Sequence, residues 1–396
     1  MGISEFKPLS PPAVVDAPIA FGRPSLGAAE IEAVAKVLAS GWIGMGEQTL
    51  AFERDLGARI GCPHTVLLNS CTSALFLSLH MHAIGAGDEV VLPSLNWFSA
   101  ANASLWLGAR PAFCDVDEET LCVTPETVAA ALTPRTRAVV VVHMGGHPVD
   151  IEGIAAILPP GVLLIEDAAH AMGGAYLDGR PVGSAGNPTC YSFYANKNLS
   201  TGEGGLLAAP TAEMADRARR LRLHGLGADS WKRYIDPRAS IGLTPSEVGF
   251  KMNYTDLQAA IGRVQLSRLD AMQARRREIC ARYRQRLGGA GLALGFQAMI
   301  EDPRHARHLL VVRLPVGEGH ARRDDVFLGL KKQGIGVAIH YTPLHHMAVY
   351  RDYAARPLPV TDRLSDSILS LPLSACLSDE DVERVCERLI DAVAPS

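Results

Sequence analysis

The sequence predicts an α/β protein: a large domain built on a mainly parallel sheet flanked by helices, then a smaller C-terminal α/β domain. Three observations predict it. Short apolar runs closed by turn residues alternate with amphipathic stretches of helical period through the first half of the chain, the βα rhythm of parallel strands joined by crossover helices. The run Val162-Leu163-Leu164-Ile165 is apolar throughout, as a strand covered on both faces must be. A chain of 396 residues with 48% hydrophobic content exceeds one ordinary domain and can fill two cores. The expected division is an N-terminal arm over 1–26, a large domain over 27–258 and a smaller one over 259–396.

Taken in order, residues 1–18, with prolines at 8, 11, 12 and 18, lack periodicity and form an arm. From Gly27 a helix places Ile31, Val34, Val37 and Leu38 on one face and stops at a glycine. Trp42, in the glycine-rich loop that follows, either plugs the core or lines a pocket, packing being the commoner use of an aromatic. A strand at Thr65–Leu68 runs through Asn69-Ser70-Cys71-Thr72-Ser73 into an apolar helix ending near Leu79. Such a turn offers free N–H groups and hydroxyls to a phosphate, although Thr72 and Ser73 read equally well as caps. A strand within Gly87–Ser94 precedes Asn96-Trp97-Phe98, which opens another helix. Strands at Pro111–Val116 and Ala138–Val142 alternate with helices at Pro125–Leu132 and Asp150–Leu158. The run from Val162 then delivers Glu166 and Asp167 at its carboxyl end, where open sheets place their ligands.

A helix is expected at Thr211–Leu223, then a long polar loop, Gly225–Ser246, carrying Lys232, Arg233 and Arg238. A helical stretch from Thr255 to about Leu287 puts Arg275-Arg276-Arg277 on a solvated face. The smaller part holds strands at His308–Leu314 and Gly334–Tyr341 and helices at Arg323–Gln333 and Asp379–Val393. His143 and His147 follow one strand, and His340, His345 and His346 cluster later. Neither group has the acid partners or spacing of a zinc motif, so no metal is expected.

The 38 basic and 42 acidic residues give a formal charge of -4 without long runs of one sign, so neither a nucleic-acid face nor a polybasic membrane anchor is expected. The eight cysteines lack any C-x-x-C pair and read as free thiols in a reducing compartment. With no signal-peptide pattern and no stretch of membrane-spanning length, a cytoplasmic protein is expected.

The stretch Tyr191–Gly205 holds one lysine, Lys197, among small, hydroxylated and turn-forming residues. Alone, such a lysine is most often a solvated loop residue, and Asp167 is as readily a helix cap. Together they supply an amine that, once desolvated, attacks a carbonyl to form a Schiff base, and a carboxylate that keeps a pyridine nitrogen protonated. Pyridoxal 5'-phosphate (PLP) requires both. Four motifs add specificity: E-D-A-A-H-A at 166–171, V-G-S at 182–184, S-F-Y-A-N-K-N-L-S-T-G-E-G-G at 192–205 and D-L-Q-A-A-I-G at 256–262. With them, the chain from about Ile19 to its C-terminus resembles the PLP-dependent aminotransferases of the DegT/DnrJ/EryC1/StrS type, which act on nucleotide-linked keto sugars and aminocyclitols and share the aspartate aminotransferase fold.

The resemblance implies that Lys197 carries PLP and moves the donor's α-proton, and that Asp167 holds the pyridine nitrogen. It places Thr72, Ser73 and Ser192 at the phosphate. Trp97 would cover one face of the cofactor ring, with a core tryptophan as the alternative, Ala169 would lie against the other, and His170 near the cofactor oxygen or the substrate. Where the family usually reads G-Y-N-Y-R-M, this chain has Gly249-Phe250-Lys251-Met252-Asn253-Tyr254, close to a G-Y-K-Y-N-M variant of the group. Lys251 would then replace a neutral amide as the cross-subunit phosphate contact, in a homodimer with shared sites. Lys232, Arg233, Arg238 and His308 are candidates for binding a diphosphate. His340 and Tyr341 lie in a run that resembles the segment closing over the substrate, or is a packed strand end. Relatives that remove a sugar hydroxyl carry histidine at the position of Lys197. The expected reaction moves an amino group from L-glutamate to a keto sugar, foremost a nucleotide-linked (dTDP, UDP or GDP) keto-deoxysugar. An aminocyclitol route of the scyllo-inosose type and a non-catalytic PLP-binding regulatory protein are the alternatives.

Overall fold

The computed structural model describes residues 17–227, 234–236, 238, 244–317 and 322–393. Seven strands form the larger sheet: β1 Thr65–Leu68, β2 Glu89–Pro93, β3 Arg110–Cys114, β4 Thr136–Val142, β5 Leu163–Asp167, β6 Thr189–Ser192 and β7 Gly205–Ala208, in the order β1-β7-β6-β5-β4-β2-β3. Strands β2 to β6 run parallel, and β7 is antiparallel to both of its neighbours.

The period-two alternation of each strand divides its side chains between two cores. Val66, Val90, Val140 and Ile165 pack with the helices Cys71–Met81, Ser99–Trp106 and Ala212–Leu221. Leu67, Val91, Val139 and Leu164 pack with Glu47–Ile60, Pro125–Ala129 and Ile151–Ile157. Because the central strands are parallel, the residues following β2, β4 and β5 collect along one edge of the sheet.

The second sheet is antiparallel, with β8 Gly295–Phe296, β9 Leu310–Arg313 and β10 Ile368–Leu371 in the order β10-β9-β8. Ile279 and Tyr283 of the helix Leu269–Gly288, Leu330 of Arg323–Lys332 and Leu389 of Asp379–Val393 cover it. Among the described residues no helix is long and apolar enough to cross a membrane.

Several local expectations need correction. The helical stretch after Thr255 is two helices, Asp256–Ser267 and Leu269–Gly288, broken at Arg268, where φ is -103°. Arg276 is not on a solvated face: it is 4% exposed and donates to the carbonyls of Arg307 and Leu373. Four residues from both Met272 and Cys280, it shares their buried stripe, whereas Arg277 is exposed. Residues 334–341 make isolated bridges, Ile335 to Ile19 and Ala338 to Ser370, instead of a strand. A Cβ on Gly336 would lie 2.4 Å from Phe21 N, so the chain threads too close to the N-terminal residues for a regular ladder. On the helix Ala28–Ser40 only Val37 of the four apolar positions is buried, while Ile31 and Leu38 are 72% and 57% exposed.

The helix Glu47–Ile60, for which no expectation was formed, begins at Gly46, which has no side chain to cap it. Asp256 caps it from across the fold. Its Oδ1 accepts from Gly46 N (2.8 Å), Thr49 N (2.9 Å) and Thr49 Oγ1 (2.6 Å), and its Oδ2 accepts from Gln48 N (3.1 Å). Asp256→Ala strands those donors and is expected to cost about 2 kcal/mol. A lowered urea midpoint with an unchanged slope would register the loss; an unchanged midpoint would refute it.

Candidate active site

Asp167, the last residue of β5, is buried, and its Oδ1 accepts from Ala169 N (3.0 Å) and faces the Cys71 thiol (3.8 Å). Desolvation raises its pKa, and the Ala169 N–H and the Lys197 charge only partly offset the rise. It is a carboxylate short of a cation.

Lys197 sits in the turn after β6, where its N–H donates to Tyr194 O (2.9 Å), while Phe193 N donates to Gly204 O to close the loop. The turn packs tightly: a Cβ on Gly205 would lie 2.3 Å from the carbonyl carbon of Ser70, so only glycine lets β7 pass the start of the helix Cys71–Met81. Lys197 keeps some solvent contact, yet protein surrounds its amine and pushes its pKa from 10.5 down to about 8, against the opposing pull of Asp167 and Cys71. Its Nζ lies 3.4 Å from His308 Nε2.

His308 was grouped with the basic loop residues, but burial, reinforced by Lys197, holds its pKa well below the usual range, so it is a neutral imidazole. Asn198 fixes its tautomer: Asn198 Nδ2 donates to Ala306 O (2.7 Å), which turns Oδ1 toward His308 Nδ1 (3.3 Å). The Nδ1 hydrogen is thereby committed, and the Nε2 lone pair faces Lys197. Lys232 and Arg233 lie outside the described residues. Arg238 is exposed, its backbone N–H donating to Asp236 Oδ1 (3.0 Å), and no hydrogen bond or ion pair among the described residues joins it to His308.

Around this pair the other expected residues take distinct places. Thr72 Oγ1 lies 2.8 Å from Ser99 Oγ at the start of the helix Cys71–Met81. Ser73 uses both donors internally, its N–H to the cap Ser70 (3.1 Å) and its hydroxyl to Asn69 Oδ1 (2.6 Å), and so shapes the turn. Ser192 Oγ accepts from Tyr194 N (3.3 Å). Trp97 is 50% exposed, not a core residue, with its ring against Phe98 and 5.8 Å from that of Tyr341. His170 accepts from Gly145 N at Nδ1 (3.3 Å), and its Nε2 lies 3.2 Å from Tyr341 OH. Its ring also lies 4.4 Å from that of His308. His340 turns to Ser370 Oγ (2.9 Å) and stacks on Phe21. Lys251 is exposed on the segment whose next residue, Met252, accepts from Asn69 N (2.9 Å).

Asn198 and Cys71 escaped the sequence reading. Asn198 adjoins the lysine, but nothing local marks it as the holder of a histidine 110 residues away. Both histidine groups, moreover, have acid partners: His143 Nε2 lies 3.0 Å from Glu166 Oε2, and His345 and His346 meet Asp362.

This donor set fits PLP. It offers an amine of lowered pKa for the aldehyde and a buried carboxylate that a protonated ring nitrogen would neutralise. It adds hydroxyls at a helix N-terminus and an open aromatic face. The apoprotein carries a signature of the desolvated amine. Between pH of about 8 and 10.5 the unfolded chain binds more protons at Lys197 than the folded one, so this site makes stability rise with pH through that window. Lys197→Met should remove that contribution. Equal pH dependences of melting for the wild-type and Lys197→Met apoproteins would refute it.

The sequence profile described as the DegT/DnrJ/EryC1/StrS aminotransferase family matches residues 24–390. The chain is similar to the spore coat polysaccharide biosynthesis protein SpsC of Bacillus subtilis (strain 168), 42% identical over 382 residues that cover 94% of this chain and 96% of that protein. Among solved structures it is similar to the aminotransferase TlmJ from Streptoalloteichus hindustanus, with a TM-score of 0.86 and 38% identity over 95% of this chain and 99% of that one. It is similar also to the PLP-form of Spr1654 from Streptococcus pneumoniae, a candidate sugar aminotransferase, with a TM-score of 0.85 and 29% identity over 95% and 98% of the two chains.

Proposed function

Because this chain belongs to the DegT/DnrJ/EryC1/StrS aminotransferase family, we propose that it moves an amino group from L-glutamate to a nucleotide-linked keto-deoxysugar. The observation that carries this reading is the crowded Lys197 amine, of pKa about 8, with a neutral imidazole 3.4 Å away.

Bound PLP supplies the electron sink that makes the donor's α-hydrogen acidic. Lys197 is the residue placed to take and hand back that proton; a base of pKa near the working pH does this best. His308 accepts an N–H of Lys197, which orients the amine without adding a second positive charge. Asp167 would hold the ring nitrogen with its negative charge. Thr72 and Ser192 are assigned to the phosphate, with Ser73 holding the turn that carries Thr72. Trp97 and Ala169 take the two ring faces, and His170 and Tyr341 brace one another at the substrate side. Exposed Lys251 is assigned to the phosphate of a partner protomer in a homodimer.

An aminocyclitol ketone is the second reading, favoured by the neutrality of His308, which removes one charge from the set proposed for a diphosphate. The visible spectrum tests both. L-Glutamate alone should bleach the yellow PLP chromophore, and a keto acceptor should restore it. Recovery with a nucleotide-linked keto sugar supports the first reading and recovery with scyllo-inosose alone the second. A chromophore indifferent to glutamate would refute the donor.

A further inference from the structure

We infer that His345, His346 and Asp362 form a binding site for a divalent transition-metal ion of the zinc type. The turn Leu344–His346 directs both imidazole Nε2 atoms at one carboxylate oxygen, Asp362 Oδ1, each at 2.9 Å. The three ligand atoms lie within 4.8 Å of one another, the one such group among the described residues. Asp362 comes 16 residues after His346, on the helix Pro359–Ser367, so no motif spacing announces it.

A single oxygen facing two imidazoles requires each ring to carry its hydrogen on Nε2. With each ring's hydrogen moved to Nδ1, one metal ion takes the place of both Nε2 hydrogens and meets two neutral nitrogens and a carboxylate, the three-ligand set of a zinc site that keeps a position for water. Zinc bonds of about 2.0–2.2 Å put tetrahedral donors roughly 3.3 Å apart, so the pairs at 2.9 Å need only a small shift.

The surroundings hold these donors in place. Ser94 Oγ lies 2.6 Å from His345 Nδ1 and accepts the His345 backbone N–H (3.2 Å), the outer partner that a metal-bound histidine uses to orient its ring. Asp115 accepts from Val360 N (3.0 Å), Thr361 N (2.8 Å) and Thr361 Oγ1 (2.7 Å), which anchors the helix bearing Asp362. The side chains of His346 and Asp362 are 43% and 48% exposed, leaving a path for an ion from solvent. The ion would tie the turn Leu344–His346, which follows His340 and Tyr341, to the helix Pro359–Ser367, while Ser94, just after β2, holds His345 from its other side. It would stiffen that turn without touching the reacting atoms.

The test uses the untagged full chain with PLP bound, stripped by chelator and titrated with Co2+. A saturable visible d–d spectrum at one ion per chain, bleached by Zn2+, is expected. His346→Ala and Asp362→Asn, folded and with unchanged PLP absorbance, should lose it, and Ser94→Ala should weaken cobalt affinity about 10–100-fold. Absence of the cobalt spectrum in the wild type, or equal spectra in the wild type, His346→Ala and Asp362→Asn, would overturn the site.

Discussion

Lys197→Ala is expected to retain its fold and lose amine transfer by at least about 10⁴-fold, because the proposed mechanism asks one side chain for both the amine that carries PLP and the base that moves the proton. Its amine has a pKa of about 8 because burial disfavours the charged form, so a useful fraction is neutral near neutral pH. Alanine leaves His308 in place, but that ring is neutral with its Nδ1 facing Asn198. Arginine at the same position would keep a charge and still lack a base. The measurement is single-turnover loss of the PLP absorbance with L-glutamate, with and without added methylamine. Partial rescue by the free amine is expected, since the missing group is chemical and not structural. A residual rate within tenfold of the wild type would remove Lys197 from the chemistry.

Asp167→Asn should lower kcat for the glutamate half-reaction by about 10²–10³-fold while PLP still binds. Asparagine matches aspartate in size and can still accept the Ala169 N–H, so the change isolates the charge proposed to face the ring nitrogen. The apoprotein should respond in the other direction. Burial raises the Asp167 pKa, so folding disfavours its ionised form at neutral pH, and removing the charge should leave the apo variant at least as stable as the wild type. A structural role alone would lower the stability of both forms, and comparing apo and holo melting separates the two accounts.

Much of this protein was legible where the governing forces are local. The strand at Thr65–Leu68 and the helix at Asp379–Val393 lie where the apolar pattern put them, and β5 delivers Asp167 at its carboxyl end. The pairing of one lysine with that aspartate already pointed to the cofactor. Expectations failed where a local pattern met a distant partner. The arginine run 275–277 looked solvated, yet the carbonyls of Arg307 and Leu373 receive Arg276 in the interior. The apolar run 334–341 looked like a strand, yet the backbone near Ile19 denies it a ladder.

By itself, then, the sequence determined the α/β order and the strand that presents Asp167, and it singled out Lys197 as the candidate amine, because strand period, turn residues and crossover rhythm act between near neighbours along the chain. Only the tertiary structure decided that the partner of Lys197 is His308, 111 residues away, and that Asp256 caps a helix more than two hundred residues earlier. It alone brought Asp362 to His345 and His346. Such pairings depend on how separate elements pack and on which side chains burial strips of charge, and no periodicity along the chain records either.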